Sequence, residues 1–199
     1  MHKPEATRNE ARILASVTEL VLANFEGRHL LLSPAPELHA EFINHLSKDT
    51  QRRLGAEFAV DIHAGPSKVA AAAEPTRRAI EECEEIATVR RMLDASLKYV
   101  AWDVPDTLEA LQERRVMVLA VDDAFSAPGA RCWACKALLP TVVSRCLYCG
   151  RAEIEAVEDV VELAIGAALE QRAMLEMVRS PMARQSMAQR GPMGALFRW

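Results

Sequence analysis

Four of the five cysteines in this chain stand in two matching pairs. Cys132 and Cys135 are separated by two residues, Cys146 and Cys149 have the same spacing, and ten residues lie between the pairs. Two such turns, joined by a short hairpin, can present four thiolates to one ion, and zinc binds four sulfur ligands tetrahedrally at about 2.3 Å. Because four protein sulfurs leave no open coordination position, the spacing predicts one structural zinc ion (Zn2+) per chain.

Other chemistries remain open at this stage. A rubredoxin-like iron site or an iron-sulfur centre would use the same four cysteines, whereas a redox dithiol needs one pair and not two. The fifth cysteine, Cys83, lies on an apolar helical stripe, which predicts a buried and unreactive thiol. Asp61 is the best carboxylate for a hydrolase, although no second carboxylate accompanies it.

The elements that position these residues follow from the spacing of apolar side chains. A helical period predicts helices, and alternation or a short apolar run predicts strands. The predicted helices are residues 5–26, 36–46, 67–97 with a break or kink at Pro75, 106–113 with a cap at Asp106, and 157–169. The predicted strands are residues 30–32, 58–62, 99–102, 116–121, 174–178 and 195–199.

A turn at residues 64–67 divides the chain into two predicted domains. Its glycine and proline end the preceding strand, and its serine can cap the next helix. Residues 1–63 alternate between helix and strand, which predicts part of a parallel sheet. Residues 64–199 contain the other elements and the cysteine segment 129–152. The sequence therefore predicts an α/β protein whose second domain has three layers, α/β/α.

The overall charge does not favour nucleic acid. The chain has 24 lysines and arginines against 28 aspartates and glutamates, a formal charge of -4, so RNA contact would need a local patch. The candidate contacts to RNA or another partner on the cysteine segment are Trp133, Lys136, Arg145 and Arg151. Those in the carboxyl-terminal part are Arg184, Arg190 and Arg198.

The location of the protein can also be predicted from composition. No apolar run reaches the roughly 18 residues of a membrane span, and the polar amino terminus lacks the apolar segment of a signal peptide. Cysteines in metal-binding pairs fit a reducing compartment. We therefore expect a cytoplasmic protein.

The order of features resembles a known superfamily. A strand and proline-rich turn at residues 30–36, a helix, a strand ending near His63 and a long helix come first. The segment VPDTLEALQERRVMVLAVDD, the two cysteine pairs, an amphipathic helix and a terminal RGPMGALFRW follow. Over residues 10–199 this order resembles the last two domains of the archaeal and eukaryotic-type peptide chain release factor and Pelota superfamily.

The carboxyl-terminal strand resembles the bacterial offshoots of that superfamily in particular. These end in a strand with the pattern Gly-Gly-x-Gly-Ala-x-x-Arg-aromatic. The residues that fit it here are Gly191, Gly194, Ala195, Arg198 and Trp199. Arg190 stands where the first glycine would be, and the third residue is Pro192.

The resemblance implies a fold and a role. Residues 1–63 would be a remnant ribonuclease H-like βα unit without nuclease activity. Residues 64–199 would resemble the kink-turn RNA-binding ribosomal proteins, with a zinc-ribbon insertion. In the superfamily, peptidyl-tRNA hydrolysis belongs to a Gly-Gly-Gln loop, which this sequence lacks, and the last domain docks a translational GTPase or the ribosome. The first strands of the ribonuclease H-like domain are also missing, so we expect a reduced member or a fragment.

These observations predict a non-catalytic, translation-associated binding module. Zinc would order the loop between Val121 and Val157 into a fixed surface. The alternatives are an RNA or peptidyl-tRNA hydrolase that uses Asp61, and a homo-oligomeric zinc-stabilised interaction protein. Because two strands are too few for an independent sheet, we expect the first domain to form a homodimer that completes the sheet edge.

Overall fold

A computed structural model describes residues 3–24, 27, 29–33 and 35–198. The chain forms two compact units, Met1–Glu81 and Glu82–Trp199, hereafter unit 1 and unit 2. Their boundary lies within a long helix, whereas the sequence places the domain boundary at the turn before that helix. Phe25, Pro34 and Trp199, which the predictions included, lie outside the described residues. None of the described helices is long and apolar enough to cross a membrane.

Unit 1 is built from short elements around one long helix. They are α1 (Lys3–Leu22), β1 (Leu30–Leu32), α2 (His39–His45), α3 (Lys48–Arg52), β2 (Leu54–Glu57) and the first part of α4 (Pro66–Asp94). Strands β1 and β2 pair in parallel. Glu19 joins α1 to α3, since its carboxylate accepts hydrogen bonds from Ser47 N at 2.7 Å and Thr50 Oγ1 at 2.8 Å. These bonds, first the one from the Ser47 backbone, lower the pKa of Glu19.

The second strand of unit 1 lies earlier than the sequence predicted. The alternating residues 58–62 are not a strand, because β1 ends at Leu32 and its pairing stops where Phe58 N donates to Leu32 O at 3.0 Å. The chain then turns, and Asp61 Oδ1 accepts a hydrogen bond from His63 N at 2.7 Å. Asp61 is thus an exposed turn residue, not the strand carboxylate on which the hydrolase alternative depended.

Helix α4 bears on two further predictions. Pro75 does not start a new helix, since α4 runs from Pro66 to Asp94 with Pro75 inside it. In unit 2 its buried residues are Glu85, Val89 and Met92, which recur at helical spacing, whereas Cys83 is exposed. The prediction of a buried thiol was wrong because the face that packs on the sheet is offset from the apolar stripe and includes a glutamate.

Unit 2 contains the rest of α4 and most of the strands. After a 3-10 turn at Leu97–Tyr99 come β3 (Val100–Trp102), α5 (Val104–Gln112), β4 (Val116–Asp122), β5 (Gly129–Cys132), β6 (Leu138–Leu139), β7 (Ile154–Val157), α6 (Val160–Glu170), β8 (Met174–Val178), α7 (Pro181–Met187) and β9 (Met193–Phe197). Helix α5 begins earlier than predicted, since the side chain of Asp103, not Asp106, caps it by accepting from Asp106 N at 3.3 Å.

The core of unit 2 has the predicted three layers. The sheet order is β3-β9-β4-β8, with β4 and β8 parallel and β9 antiparallel to both of its neighbours. Helices α5 and α6 cover one face, where Leu108 and Leu119 belong to one apolar cluster. Helices α4 and α7 cover the other, where Met92, Met187 and Val118 belong to a second cluster. The side chains of β4 therefore alternate between two buried faces, as an α/β/α sandwich requires.

Candidate metal centre and its surface

The cysteine segment forms a small antiparallel sheet attached to unit 2. Its strand order is β6-β5-β7, and we refer to residues 129–157 as the ribbon. The ribbon starts at Gly129, where any side chain would clash. A Cβ there would lie 2.7 Å from Leu139 O and 2.7 Å from Val160 Cβ. This close approach holds the ribbon against the start of α6.

The two cysteine pairs fold into equivalent turns. In the first, Lys136 N donates to Cys132 O at 2.8 Å, and in the second, Gly150 N donates to Cys146 O at 2.9 Å. Lys136 and Gly150 also share a left-handed backbone, with φ of 65° and 73°. The same local geometry, used twice, brings the cysteines of both turns to one point.

The four sulfurs fit a tetrahedral metal site. They all lie within 4.8 Å of one another, with 3.6 Å between Cys132 Sγ and Cys149 Sγ and 3.5 Å between Cys135 Sγ and Cys146 Sγ. Sulfurs at about 2.3 Å from a tetrahedral zinc ion are about 3.8 Å apart. The cluster consists of soft thiol donors alone, which is the donor set of a structural zinc or an iron-thiolate centre.

The surroundings of Cys132 and Cys135 shift the pKa values of these two thiols in opposite directions. A hydrogen bond from the backbone N–H of Cys135 lowers the pKa of Cys132 to about 7. Burial raises the pKa of Cys135 to about 12. Because metal ligands must be thiolates, a bound cation would have to displace the Cys135 proton.

The surface of the ribbon combines an exposed aromatic ring with cations. Trp133 is 52% exposed, and Lys136 Nζ lies 4.6 Å and the Arg131 guanidinium carbon 5.4 Å from its ring centroid. The structure places the other two predicted contacts, Arg145 and Arg151, in the same ribbon, and both are exposed. The prediction omitted Arg131, although its place directly before Cys132 could have indicated it.

The predicted contacts in the carboxyl-terminal part are not gathered with these. Arg184 Nε lies 3.1 Å from the Asp122 carboxylate and donates to Val178 O at 3.2 Å. Arg198 Nε donates to Val116 O at 3.0 Å. Arg190 is exposed near the end of α7. The guanidinium groups of Arg184 and Arg198 thus hold the fold together.

No protein-family model and no curated protein matches the sequence. Solved structures do resemble the fold. A chain of the model of ribosome-bound archaeal Pelota and ABCE1 matches with a TM-score of 0.60 and 14% identity, over 96% of this chain and 49% of that one. The C-terminal domain of a peptide chain release factor from Methanosarcina mazei matches with a TM-score of 0.48 and 19% identity, over 69% and 97%.

Pelota from Archaeoglobus fulgidus matches with a TM-score of 0.43 and 15% identity, over 93% of this chain and 53% of that one. The protein thus spans about half the length of the matched chain in each of these two Pelota-containing structures. The fold of this chain is similar to that of part of a chain in the structure of ribosome-bound archaeal Pelota and ABCE1, in line with the fold that the sequence resemblance predicted.

Proposed function

We propose that this chain is a non-catalytic, translation-associated binding module that acts in the cytoplasm. It docks the ribosome or a translational GTPase through the ribbon, and a structural zinc ion orders that surface. The observation that carries this proposal is that two cations, the half-buried Arg131 and the exposed Lys136, lie over the exposed ring of Trp133 on a segment in which the four cysteines come together.

The concentration of positive charge in residues 124–152 supports an anionic partner. Residues 124–152 contain no aspartate or glutamate, in a chain whose formal charge is -4. Arg131, Lys136, Arg145 and Arg151 give four positive charges, and a zinc ion with four thiolates contributes two negative ones. Residues 124–152 therefore keep two positive charges, and the two exposed acidic residues of the ribbon, Glu153 and Glu155, follow this segment. A basic surface beside an exposed aromatic ring is a common arrangement for RNA contact, so ribosomal RNA is the partner that we favour.

Zinc supplies no reactive chemistry in this proposal. The four cysteines would hold the ion, which would fix the two turns that carry Trp133, Lys136 and Arg151. The fold also supports docking on the ribosome, because a chain of a structure that contains ribosome-bound Pelota has a similar fold.

The test is co-sedimentation of the zinc-loaded chain with purified ribosomes. The double substitution Arg145→Ala and Arg151→Ala removes two charges from the ribbon and should weaken binding about tenfold or more. The matched control is Arg90→Ala with Arg91→Ala, which removes two exposed arginines from α4 and should leave binding unchanged. Equal loss in both variants would point to net charge alone and contradict the proposal.

We also propose that unit 1 associates with a second copy of itself. Among the described residues, β1 and β2 each have one strand neighbour, so each leaves an open edge. Helix α1 in addition exposes five apolar side chains at helical spacing: Ile13, Leu14, Val17, Leu20 and Val21. Such a patch is of the order of ~300–600 Å², and two copies of it reach the ~1,000 Å² of a stable interface.

A further inference from the structure

Trp133 is an exposed indole on a firmly held stretch of backbone. The residue is 52% exposed and stands in the first cysteine turn, directly after Cys132. Trp133 N donates to Glu153 O at 2.9 Å, and Cys132 N donates to Ala137 O at 2.9 Å. These bonds fix the place of the ring on the ribbon. Tryptophan is enriched at interaction surfaces, because its large ring gains by being covered.

The two cations over this ring are not neutralised by a carboxylate contact. Lys136 Nζ lies 4.6 Å and the Arg131 guanidinium carbon 5.4 Å from the ring centroid. Glu155 is directly opposite Arg131 in the register of β5 and β7, yet no ion pair joins the two side chains in the described part of the ribbon. The guanidinium contacts the indole instead. Its charge, like that of Lys136, is therefore available to an anion.

A nucleic acid strand meets both features of this surface. Its phosphates are anionic, and its bases have flat faces that stack on aromatic rings and on guanidinium planes. A base that stacks on Trp133 takes the place of a cation over the ring, and that cation then lies beside the phosphates that flank the base. An acidic protein would pair the cations, whereas an RNA strand offers both an anion and a flat ring in every nucleotide.

We propose that Trp133 stacks on an unpaired base of RNA and that Arg131 and Lys136 hold the flanking phosphates. This inference rests on the docking function proposed above and specifies the kind of RNA that the ribbon binds. The RNA is a single strand, a loop or a bulge. In a duplex, each base is covered by its neighbours, so the indole would have no base face to contact.

Fluorescence anisotropy with the zinc-loaded full chain tests the preference for unpaired RNA. The probes are a labelled single strand of about 12 nucleotides and the same strand annealed to its complement. The single strand should bind at least about tenfold more tightly than the duplex. Trp133→Ala should lower the affinity for the single strand about tenfold, and Trp133→Phe should keep most of it, because a phenyl ring still stacks. The salt dependence should not change in Trp133→Ala, since the phosphate contacts remain.

Leu147→Ala is the matched control. Leu147 follows the first cysteine of the second turn, as Trp133 follows that of the first, and it is 77% exposed. This variant should bind the single strand as the unaltered chain does, and the zinc content of each variant shows whether its turns are intact. Equal affinity for single strand and duplex, or equal effects of Trp133→Ala and Leu147→Ala, would overturn the proposal.

Co-sedimentation with ribosomes separates this inference from the docking function. An unaltered chain that binds the single strand through Trp133, but does not bind ribosomes, would support the stacking and contradict the docking. A chain that binds ribosomes equally well with and without the Trp133 ring would support the docking and overturn the stacking. Loss of ribosome binding in Trp133→Ala, with no binding of the single strand by the unaltered chain, would overturn the stacking in favour of a contact with ribosomal protein.

Discussion

At the scale of single residues, Cys135 is the ligand whose replacement tests the metal centre best. Its Sγ lies 3.5 Å from Cys146 Sγ inside the cluster. We expect one equivalent of zinc per chain, and Cys135→Ser should reduce the metal content to near zero, because three cysteines no longer complete the tetrahedron. Metal analysis of protein purified without chelator measures this. Cys83→Ser, which alters an exposed cysteine outside the cluster, should keep the zinc.

Iron in place of zinc, or less than about half an equivalent of any metal in the unaltered chain, would contradict this prediction, since structural sites bind tightly. The same result would also remove the support that zinc gives to the proposed docking surface.

The protonation of Cys135 predicts how zinc affinity depends on pH. Burial raises its pKa to about 12, so the thiol stays protonated in the metal-free chain between pH 6 and 8. Binding displaces that proton, so affinity should rise with pH, by about tenfold per pH unit for each proton displaced. Competition with a chromophoric chelator at several pH values measures this. An affinity that stays constant from pH 6 to 8 would show that the ligands are already deprotonated.

A buried glutamate determines how α7 begins. Glu85 is 6% exposed, and its Oε2 accepts hydrogen bonds from Arg179 N at 2.8 Å and Ser180 N at 2.7 Å. Glu85→Gln replaces a charged acceptor and should lower the free energy of unfolding by about 1.5–3 kcal/mol. Urea unfolding measures the change. Glu82→Gln, an exposed site on the same helix, should change it little, and an equal effect at both sites would contradict the role of Glu85.

At the scale of elements, a proline inside the continuous helix α4 should lower the stability of the fold. Pro75 is exposed and lies well inside Pro66–Asp94. Pro75→Ala would add an N–H that can donate to the carbonyl of Ala71, so we expect the free energy of unfolding to rise by about 1–3 kcal/mol. Thermal unfolding followed by circular dichroism measures this. An unchanged or lower stability would contradict the cost that we assign to Pro75.

The proposed self-association of unit 1 can be tested by substitution on the exposed face of α1. Leu20 is 69% exposed, and Leu20→Glu places a charge in the middle of the proposed interface. Sedimentation at micromolar concentration should show dimers for the unaltered chain and monomers for this variant. Leu97→Glu is the control, because Leu97 is 70% exposed on the 3-10 turn of unit 2. A monomeric unaltered chain, or equal dissociation in both variants, would refute the dimer.

Sequence patterns predicted elements well where local spacing decides the structure. The short apolar strand Leu30–Leu32 and the strand Met174–Val178 were predicted with their observed bounds. The strand at residues 58–62 failed, because strand length depends on the partner, and β1 offers none beyond Leu32. Helix α7 was not predicted, since its position depends on Glu85, which is distant in sequence.

At the cysteine site, too, the sequence predicted some features and missed others. The spacing of the two pairs was enough to predict that four sulfurs come together. The contact of Arg131 with Trp133 is also local, since side chains two residues apart in extended chain share one face, so the sequence could have indicated it.

At the scale of the whole molecule, the central claim is that a zinc-ordered basic ribbon docks the chain on ribosomal RNA. The most direct measurement is the affinity of the zinc-loaded chain for ribosomes over a series of salt concentrations. Four cations on phosphates predict a slope of log K against log salt of about -3. Arg145→Ala with Arg151→Ala should reduce it to about -1.5. Salt-independent binding, or an unchanged slope in the variant, would contradict the account.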